Sequence, residues 1–537
     1  MKKNFQKKRK RMKRHGRGTA KVPFSWRHRK HHGPAISWCH APSSPMSPPP
    51  RNAAATAWLE SPLAREREAG PMQRQLHERL KRAILDSGLA PGSRLPGSRA
   101  LAEALSISRN TVTAAYEHLA AEGYVQPDRQ GTRVTELAPP AKAMRAIKSG
   151  AAPATARRLA RIQPGAPRAE MDAALRPGMP ALSHFPGAAW RRAVDRAIRG
   201  ASPATLGYGD PLGEPPLRAA IARHLAIARG VRCEPHQVVI AEGAQEAIAL
   251  CVRLLSNPGD TGWVEDPGYR GAKAAMHAGD MRIVPMRVDA EGLCVSERDW
   301  HRHPPRLVYT TPSHQYPAGA VLSITRRLAL IAQARRHGAW IIEDDYDSEF
   351  RHTGEPIGAM QGLVDDAPVL YVGTFSKTMF PSLRLGFVVL PAPLMATVQK
   401  PLEEMLRGGH RHEQLAMADF IESGQFSRHL GRMRRLYRER QQALRAALAR
   451  HFKVPHEIDG GHCGLHLTVR LPPRFDDQRI AADALRHRLA PTALSNFAIR
   501  PGPSDNGLVL GYGNTSAELF EPLVKRLSQL ARAAERA

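Results

Sequence analysis

The sequence predicts two folded parts. Residues 71–136 read as an N-terminal winged helix-turn-helix, and residues 171–537 as an α/β domain whose mostly parallel sheet carries helices on both faces. Three observations lead there. Residues 71–136 hold short helical periods broken by a tight turn and followed by a hairpin signal. Residues 171–537 alternate helical patterns with short apolar runs, the order expected of a doubly wound sheet. At about 150 residues per domain, a chain of 537 residues has room for both.

Composition narrows the class. With 42% hydrophobic and 24% charged residues the chain reads as an ordinary soluble globular protein. No apolar run approaches the roughly 18 residues that span a bilayer, so no membrane partner is expected. Cys39, Cys233, Cys251, Cys294 and Cys463 lie far apart with no CxxC, which excludes a disulfide scaffold and a cysteine zinc site and suits a reducing cytoplasm. No metal site is expected, and the His31-His32 pair lacks a partner cluster.

The net charge of +30 is unevenly placed. Residues 1–59 hold 15 Lys+Arg and no acid, then a Pro/Ser run, so residues 1–70 read as a disordered basic tail. It serves equally as a phosphate-attracting arm, a solvated tail or an extension from a start codon placed too far upstream.

In the winged segment, Leu76, Leu80, Ala83 and Ile84 fall at helical spacing before Gly88. Ser98 is placed to cap a second helix whose Leu101, Ala104 and Leu105 face inward. Ser108 caps a third, with Val112, Tyr116 and Leu119 inward and Arg109, Asn110, Thr111 and Thr113 on the end a recognition helix offers to DNA. QPDRQGTRV around Gly131 supplies the wing. The segment is nearly neutral, with nine Lys+Arg against seven Asp+Glu. Residues 137–170, rich in Ala, Pro and Arg, read as a basic linker, either sweeping over DNA or a plain spacer.

The stretch PGSRLPGSRALAEALSISRNTVTAAYEHLAAEGYVQPDRQGTRV resembles a GntR-type winged helix. That resemblance implies DNA contacts from Arg99, Ser108, Arg109, Thr111 and Gly131; Gly97 stands where Ser is usual.

In the α/β part, QVVIAEG, DTGWVED, PRLVYTTP, AWIIEDD, VLYVGTF and RLGFVVL read as strands, and polar residues cluster at their carboxyl ends. The turn after QVVI opens a helix at Gly243, Ala244 and Gln245, whose free N–H groups suit a phosphate. AWIIE runs into Asp344, Asp345 and Tyr346; a buried carboxylate there needs a cation such as a protonated pyridine nitrogen. Thr374, Phe375, Ser376 and Lys377 end another strand, where a desolvated lysine can form a Schiff base with an aldehyde. Arg384 offers a fork for phosphate oxygens. Each feature alone has a bland reading; together they describe a phosphate, a pyridinium and an aldehyde.

This set resembles the fold-type-I aminotransferases, whose cofactor is pyridoxal 5'-phosphate (PLP). More narrowly, YGDPLGEPPLRAAIARHLAIARGV, GAQEAI, EDPGYRGA, TPSHQYPAG, IIEDDYDSEFR and GTFSK…LRLGF resemble the MocR regulators, a GntR winged helix fused to an aminotransferase-like domain. The resemblance implies that Lys377 is the Schiff-base lysine, that Asp344 pairs with the pyridine nitrogen, and that Tyr346 donates to the ring 3'-oxygen with His314 or Gln315 nearby. It further implies Tyr269 stacked on the ring and Ala244, Gln245, Thr374, Ser376 and Arg384 on the phosphate. A homodimer on a double-stranded DNA operator, responding to an amine, an amino acid or PLP itself, follows from the same likeness.

One feature departs from working aminotransferases. Their last strand usually carries an Arg for the substrate α-carboxylate, and GLVLGYGN has none, leaving Arg500 or Arg470 as substitutes. This favours an effector sensor over an efficient metabolic enzyme and leaves room for partial transamination chemistry. The alternatives are a true aminotransferase with an accessory DNA-binding domain, and an architectural DNA-binding protein with a dead cofactor domain.

Overall fold

The computed structural model describes residues 62–65, 69–86, 88–136, 155–162 and 173–535. The basic tail thus falls largely outside the described residues, as do residues 137–154 and 163–170 of the linker. The chain divides into two units, residues 1–152 and 153–537.

In the first unit, helices α1 (Met72–Leu85), α2 (Ser98–Ala104) and α3 (Arg109–Ala121) precede a hairpin of β1 (Val125–Asp128) and β2 (Gly131–Val134). Leu76, Leu80, Leu101, Val112 and Leu119 are fully buried in one small core. Leu63 is buried in it too, so packing begins within the segment expected to be tail. Ala102, not Ala104, is the buried alanine of α2, because Ala104 sits one position past the inward stripe. Ser98 is the first residue of α2 rather than its cap, and its Oγ accepts from Arg109 Nε at 3.2 Å. Ser108 does cap α3, accepting from the Thr111 N–H at 3.1 Å. Asp128 and Gly131 pair across the wing turn, where Gly131 takes φ +135°.

The second unit opens with α4 (Gly187–Arg199), α5 (Pro203–Leu206) and α6 (Pro215–Arg229). Strands and helices then alternate: β3 (Val238–Ala241), α7 (Ala244–Leu255), β4 (Thr261–Asp266), α8 (Arg270–Ala278), β5 (Arg282–Asp289), β6 (Gly292–Leu293), α9 (Glu297–Arg302), β7 (Leu307–Thr310), α10 (Ile324–His337), β8 (Trp340–Asp345), β9 (Val369–Thr374) and β10 (Gly386–Val389). These strands form one sheet in the order β3-β10-β9-β8-β7-β4-β5-β6. Pairs from β9 through β5 are parallel, while β10 runs antiparallel to both neighbours and β6 to β5. All six expected strands are present. Strand β5, covered on its outer side only by the two-residue edge strand β6, escaped sequence reading because Pro285 interrupts it and most of its residues are only half-buried or exposed.

Period-two alternation builds the layers. Phe387 and Val389 of β10 point into the core shared with α6, while Val388 points into the one shared with α7. The chain ends in α11 (Ala392–Met405), α12 (Arg411–Glu422), α13 (Gln425–His451), β11 (Glu457–Asp459), β12 (His466–Arg470), α14 (Asp477–Leu485), β13 (Thr492–Ala493), β14 (Gly507–Gly511) and α15 (Phe520–Ala533). Its strands form a separate antiparallel sheet, β11-β12-β14-β13. No helix among the described residues is long and apolar enough to cross a membrane.

The cap on α3 yields a direct test. Ser108→Ala is expected to cost the first unit roughly 1 kcal/mol, read as a lower denaturation midpoint for that unit with the second unit's transition unmoved.

Candidate cofactor site

Loops at the carboxyl ends of β4, β7, β8 and β9 and the amino end of α7 converge on a cavity of about 280 Å³. Asp344 forms its floor. Its side chain is buried; Oδ2 accepts from the Tyr309 hydroxyl at 2.6 Å, and Oδ1 has no partner. Burial pushes its carboxyl up to about 7, against the Tyr309 hydrogen bond, with Asp345, Glu265 and Asp347 adding to the rise.

Lys377 enters from the end of β9, and its Nζ donates to the Gly178 carbonyl at 2.7 Å. Gly178 takes φ +72°, a conformation that favours glycine, and a Cβ there would stand only 3.1 Å from Nζ. Burial holds the lysine pKa below its usual range despite the charges of Asp347 and Asp344, and the positive charge of Arg176 lowers it further.

At the other end of the cavity, α7 begins at Ala244 behind Gly243, which takes φ +82°. A Cβ on Gly243 would meet the Arg384 guanidinium at 3.3 Å, so helix terminus and cation share one cradle. Thr374 Oγ1 accepts from the Ser376 N–H at 3.1 Å and donates to Ser376 Oγ at 3.0 Å. Tyr269 caps one side, donating to Gln245 Oε1 at 3.1 Å and stacking toward Tyr309 with ring centres 6.4 Å apart.

Tyr346 also lines the cavity, its hydroxyl 2.9 Å from His314 Nδ1. His314 and Gln315 are buried but do not reach the cavity wall. His314 leans on Asp347 at 2.9 Å, and the Gln315 amide donates to Glu265 and to the Pro267 and Tyr316 carbonyls. Both therefore support the wall from behind. Sequence reading passed over Tyr309, Thr311 and Tyr316, which line the cavity but lie in or just after an apolar strand.

Residues 181–468 match the family Aminotransferase class I and II, and residues 72–134 match the bacterial regulatory proteins of the gntR family. The probable rhizopine catabolism regulatory protein MocR of Rhizobium meliloti is 39% identical over 84% of this chain and 92% of its own. The pyridoxine biosynthesis transcriptional regulator PdxR of Corynebacterium glutamicum is 32% identical over 84% of this chain and 94% of its own.

The chain belongs to the MocR-type regulators.

The second unit of this MocR-type regulator is also similar in fold to solved aminotransferases. LysN, the α-aminoadipate aminotransferase of Thermus thermophilus, matches with a TM-score of 0.63 and 26% identity, covering 71% of this chain and 97% of that one. A MocR-type regulator with an aminotransferase class I and II domain binds PLP, and the cavity fits that group. Asp344 Oδ1 is a buried oxygen awaiting a cation, Lys377 is a half-buried amine whose pKa is lowered by desolvation, and the start of α7 with Arg384 is an anion cradle.

Other residues fall elsewhere in the MocR-type chain. Arg500 is exposed and does not line the cavity, and Arg470 is tied to Asp459 and the Ser504 carbonyl. In the winged helix, Arg99, Ser108, Arg109 and Gly131 are exposed and Thr111 is half-buried.

The raised Asp344 pKa sets a stability dependence. Its folded value, about 7, lies above the ordinary carboxyl value of 3.8. Between these the folded cofactor-free protein therefore binds more protons than the unfolded chain, and loses stability as pH rises. Asp344→Asn is expected to flatten this fall, worth on the order of 4 kcal/mol at most, when cofactor-free unfolding midpoints are compared across that pH range. An unchanged slope would remove Asp344 as its source.

Proposed function

We propose that this protein is a PLP-dependent transcriptional regulator. It acts in the cytoplasm as a homodimer, reads a double-stranded DNA operator with paired winged helices, and senses an amine, an amino acid or PLP itself through Lys377. One observation carries the reading: the same chain holds a capped, exposed recognition helix and a cavity lined by both a half-buried lysine and an unpaired carboxylate oxygen.

Each residue then has a role. Asp344 would hold the proton on a pyridine nitrogen, Tyr346 would donate to the ring 3'-oxygen, and Tyr269 would stack on the ring. The N–H groups of Ala244 and Gln245, with Thr374, Ser376 and Arg384, hold the phosphate. When bound, PLP supplies an aldehyde that condenses reversibly with a primary amine. Lys377 would be that amine in the resting protein, and burial keeps its nitrogen unprotonated more readily than a surface lysine. With its nitrogen free, Lys377 donates to the Gly178 carbonyl at 2.7 Å. Gly178 lies in the segment that enters from the linker, so the state of Lys377 bears on that segment. In the winged helix, Arg99, Ser108, Arg109, Thr111 and Gly131 meet the DNA.

Footprinting on the chain's own upstream region, with and without PLP and then with a panel of amines, tests the reading. Protection is expected to change with PLP or an amine in the parent and to lose that response in Lys377→Ala. Arg109→Ala is expected to weaken operator binding by about 1–3 kcal/mol. A footprint and transcription indifferent to both PLP and Lys377→Ala would end the sensor model. The likeness to LysN favours a second reading, a working aminotransferase; sustained turnover with a 2-oxo acid would establish it.

A further inference from the structure

We propose that His77, His118 and Glu122 form a binding site for a divalent transition-metal ion that ties α1 to the end of the recognition helix α3. Nothing in the cofactor chemistry uses these residues. His118 and Glu122 stand one helical turn apart, so their side chains share a face, and His77 meets them from α1. The three donor atoms lie within 4.8 Å of one another.

His77 carries the argument. It is 4% exposed, and its Nε2 has no hydrogen-bond partner. Buried polar atoms are seldom left so. Yet Nε2 is 3.1 Å from Glu122 Oε1, close without the geometry of a hydrogen bond. Two ligands on one tetrahedral ion, with bonds of about 2.0 Å, stand about 3.3 Å apart. The His77–Glu122 separation is therefore that of two donors converging on a shared ion. The rings of His77 and His118 are 4.7 Å apart, and His118, being exposed, is free to swing in as the third ligand.

Outer groups fit the same reading. Lys81 Nζ donates to Glu122 Oε2 at 2.9 Å, which neutralises one oxygen and turns the other toward His77. Two imidazoles and a carboxylate suit zinc and its first-row neighbours, and leave a fourth position for water. Neither histidine is legible as a ligand in sequence, because the pairing crosses from one helix to another.

The test uses full-length, PLP-loaded protein stripped of metal by a chelator and then dialysed against zinc chloride. The parent is expected to hold one more zinc per chain than His118→Ala, or to bind it at least tenfold more tightly, as losses around metal ligands usually run to about 10–100-fold. Zinc is expected to raise the unfolding midpoint of the winged-helix unit in the parent and not in His118→Ala. His118→Cys, which restores a ligand, is expected to recover both effects. The histidines of the basic tail are common to all three proteins, so the difference isolates this site. Equal zinc content and affinity in parent and His118→Ala would overturn the proposal, and so would a parent midpoint that zinc leaves unmoved.

Discussion

A carboxylate at the end of a central strand, sealed from water, is unstable as an ion until a cation reaches it, and Asp344 is held in that position. Its neighbours show how much the fold does to avoid the same problem. Glu265 accepts from Thr310, from the N–H and hydroxyl of Thr311, and from Gln315. Glu343 accepts from the Met360 and Gln361 N–H groups. Asp345 is paired with Arg229 and Tyr371, and Asp347 leans on His314. Among the described residues, Asp344 alone keeps a buried carboxylate oxygen without a partner. Four acids satisfied and one left open is a selective arrangement, and it makes the site bistable: Asp344 is stable protonated, or stable beside a cation supplied from outside.

That choice reaches Lys377. Burial drives the lysine toward its neutral form while Asp347 and Asp344 pull it back. The segment opposite is threaded through both halves of the unit. Ala174 exchanges backbone hydrogen bonds with Arg488 and Ala490, the Gly511 N–H donates to the Leu175 carbonyl, Gly178 receives Lys377, and the Ala181 N–H donates to Tyr437. A change at Lys377 therefore acts on a strap tied at both ends. How far it shifts any equilibrium is bounded by an effector's differential affinity for the two states.

Features that local chemistry determines were legible in sequence. The six strands read from sequence are short apolar runs of the large mixed sheet, and residues after several of them gather where a doubly wound sheet places its ligands. The Ser108 cap follows from residue type and position alone. What was missed depends on packing between distant segments. Tyr309 looks like one more apolar strand residue, and only the pairing of β7 with β8 brings its hydroxyl to Asp344. Arg500 has the right residue type, but it sits on an exposed bend and does not line the cavity. Gln315 has the right neighbourhood, but its amide is consumed by Glu265 and two carbonyls. The small C-terminal sheet is built from short strands, two of them only two or three residues long, too short for periodicity to register.

The charge distribution separates affinity from specificity. Half of the net +30 lies in residues 1–59, while the winged segment is almost neutral, so bulk attraction to phosphate cannot come from the reading head. Several of its cations are also engaged internally: Arg133 pairs with Asp128, Arg94 donates to the Gln130 carbonyl, and Lys81 pairs with Glu122. What remains at the recognition end is a short set of exposed side chains around Arg99 and Arg109, and Arg109 is steadied by Ser98. Discrimination by so few groups depends on how firmly α2 and α3 are held. The buried Leu101–Val112–Leu119 core and the Tyr116 hydroxyl, which donates to the Pro96 carbonyl at 2.7 Å, supply that rigidity. Salt would then weaken attraction contributed by the basic residues far more than it would weaken the choice of sequence, because counterion release scales with neutralised phosphates and not with base contacts.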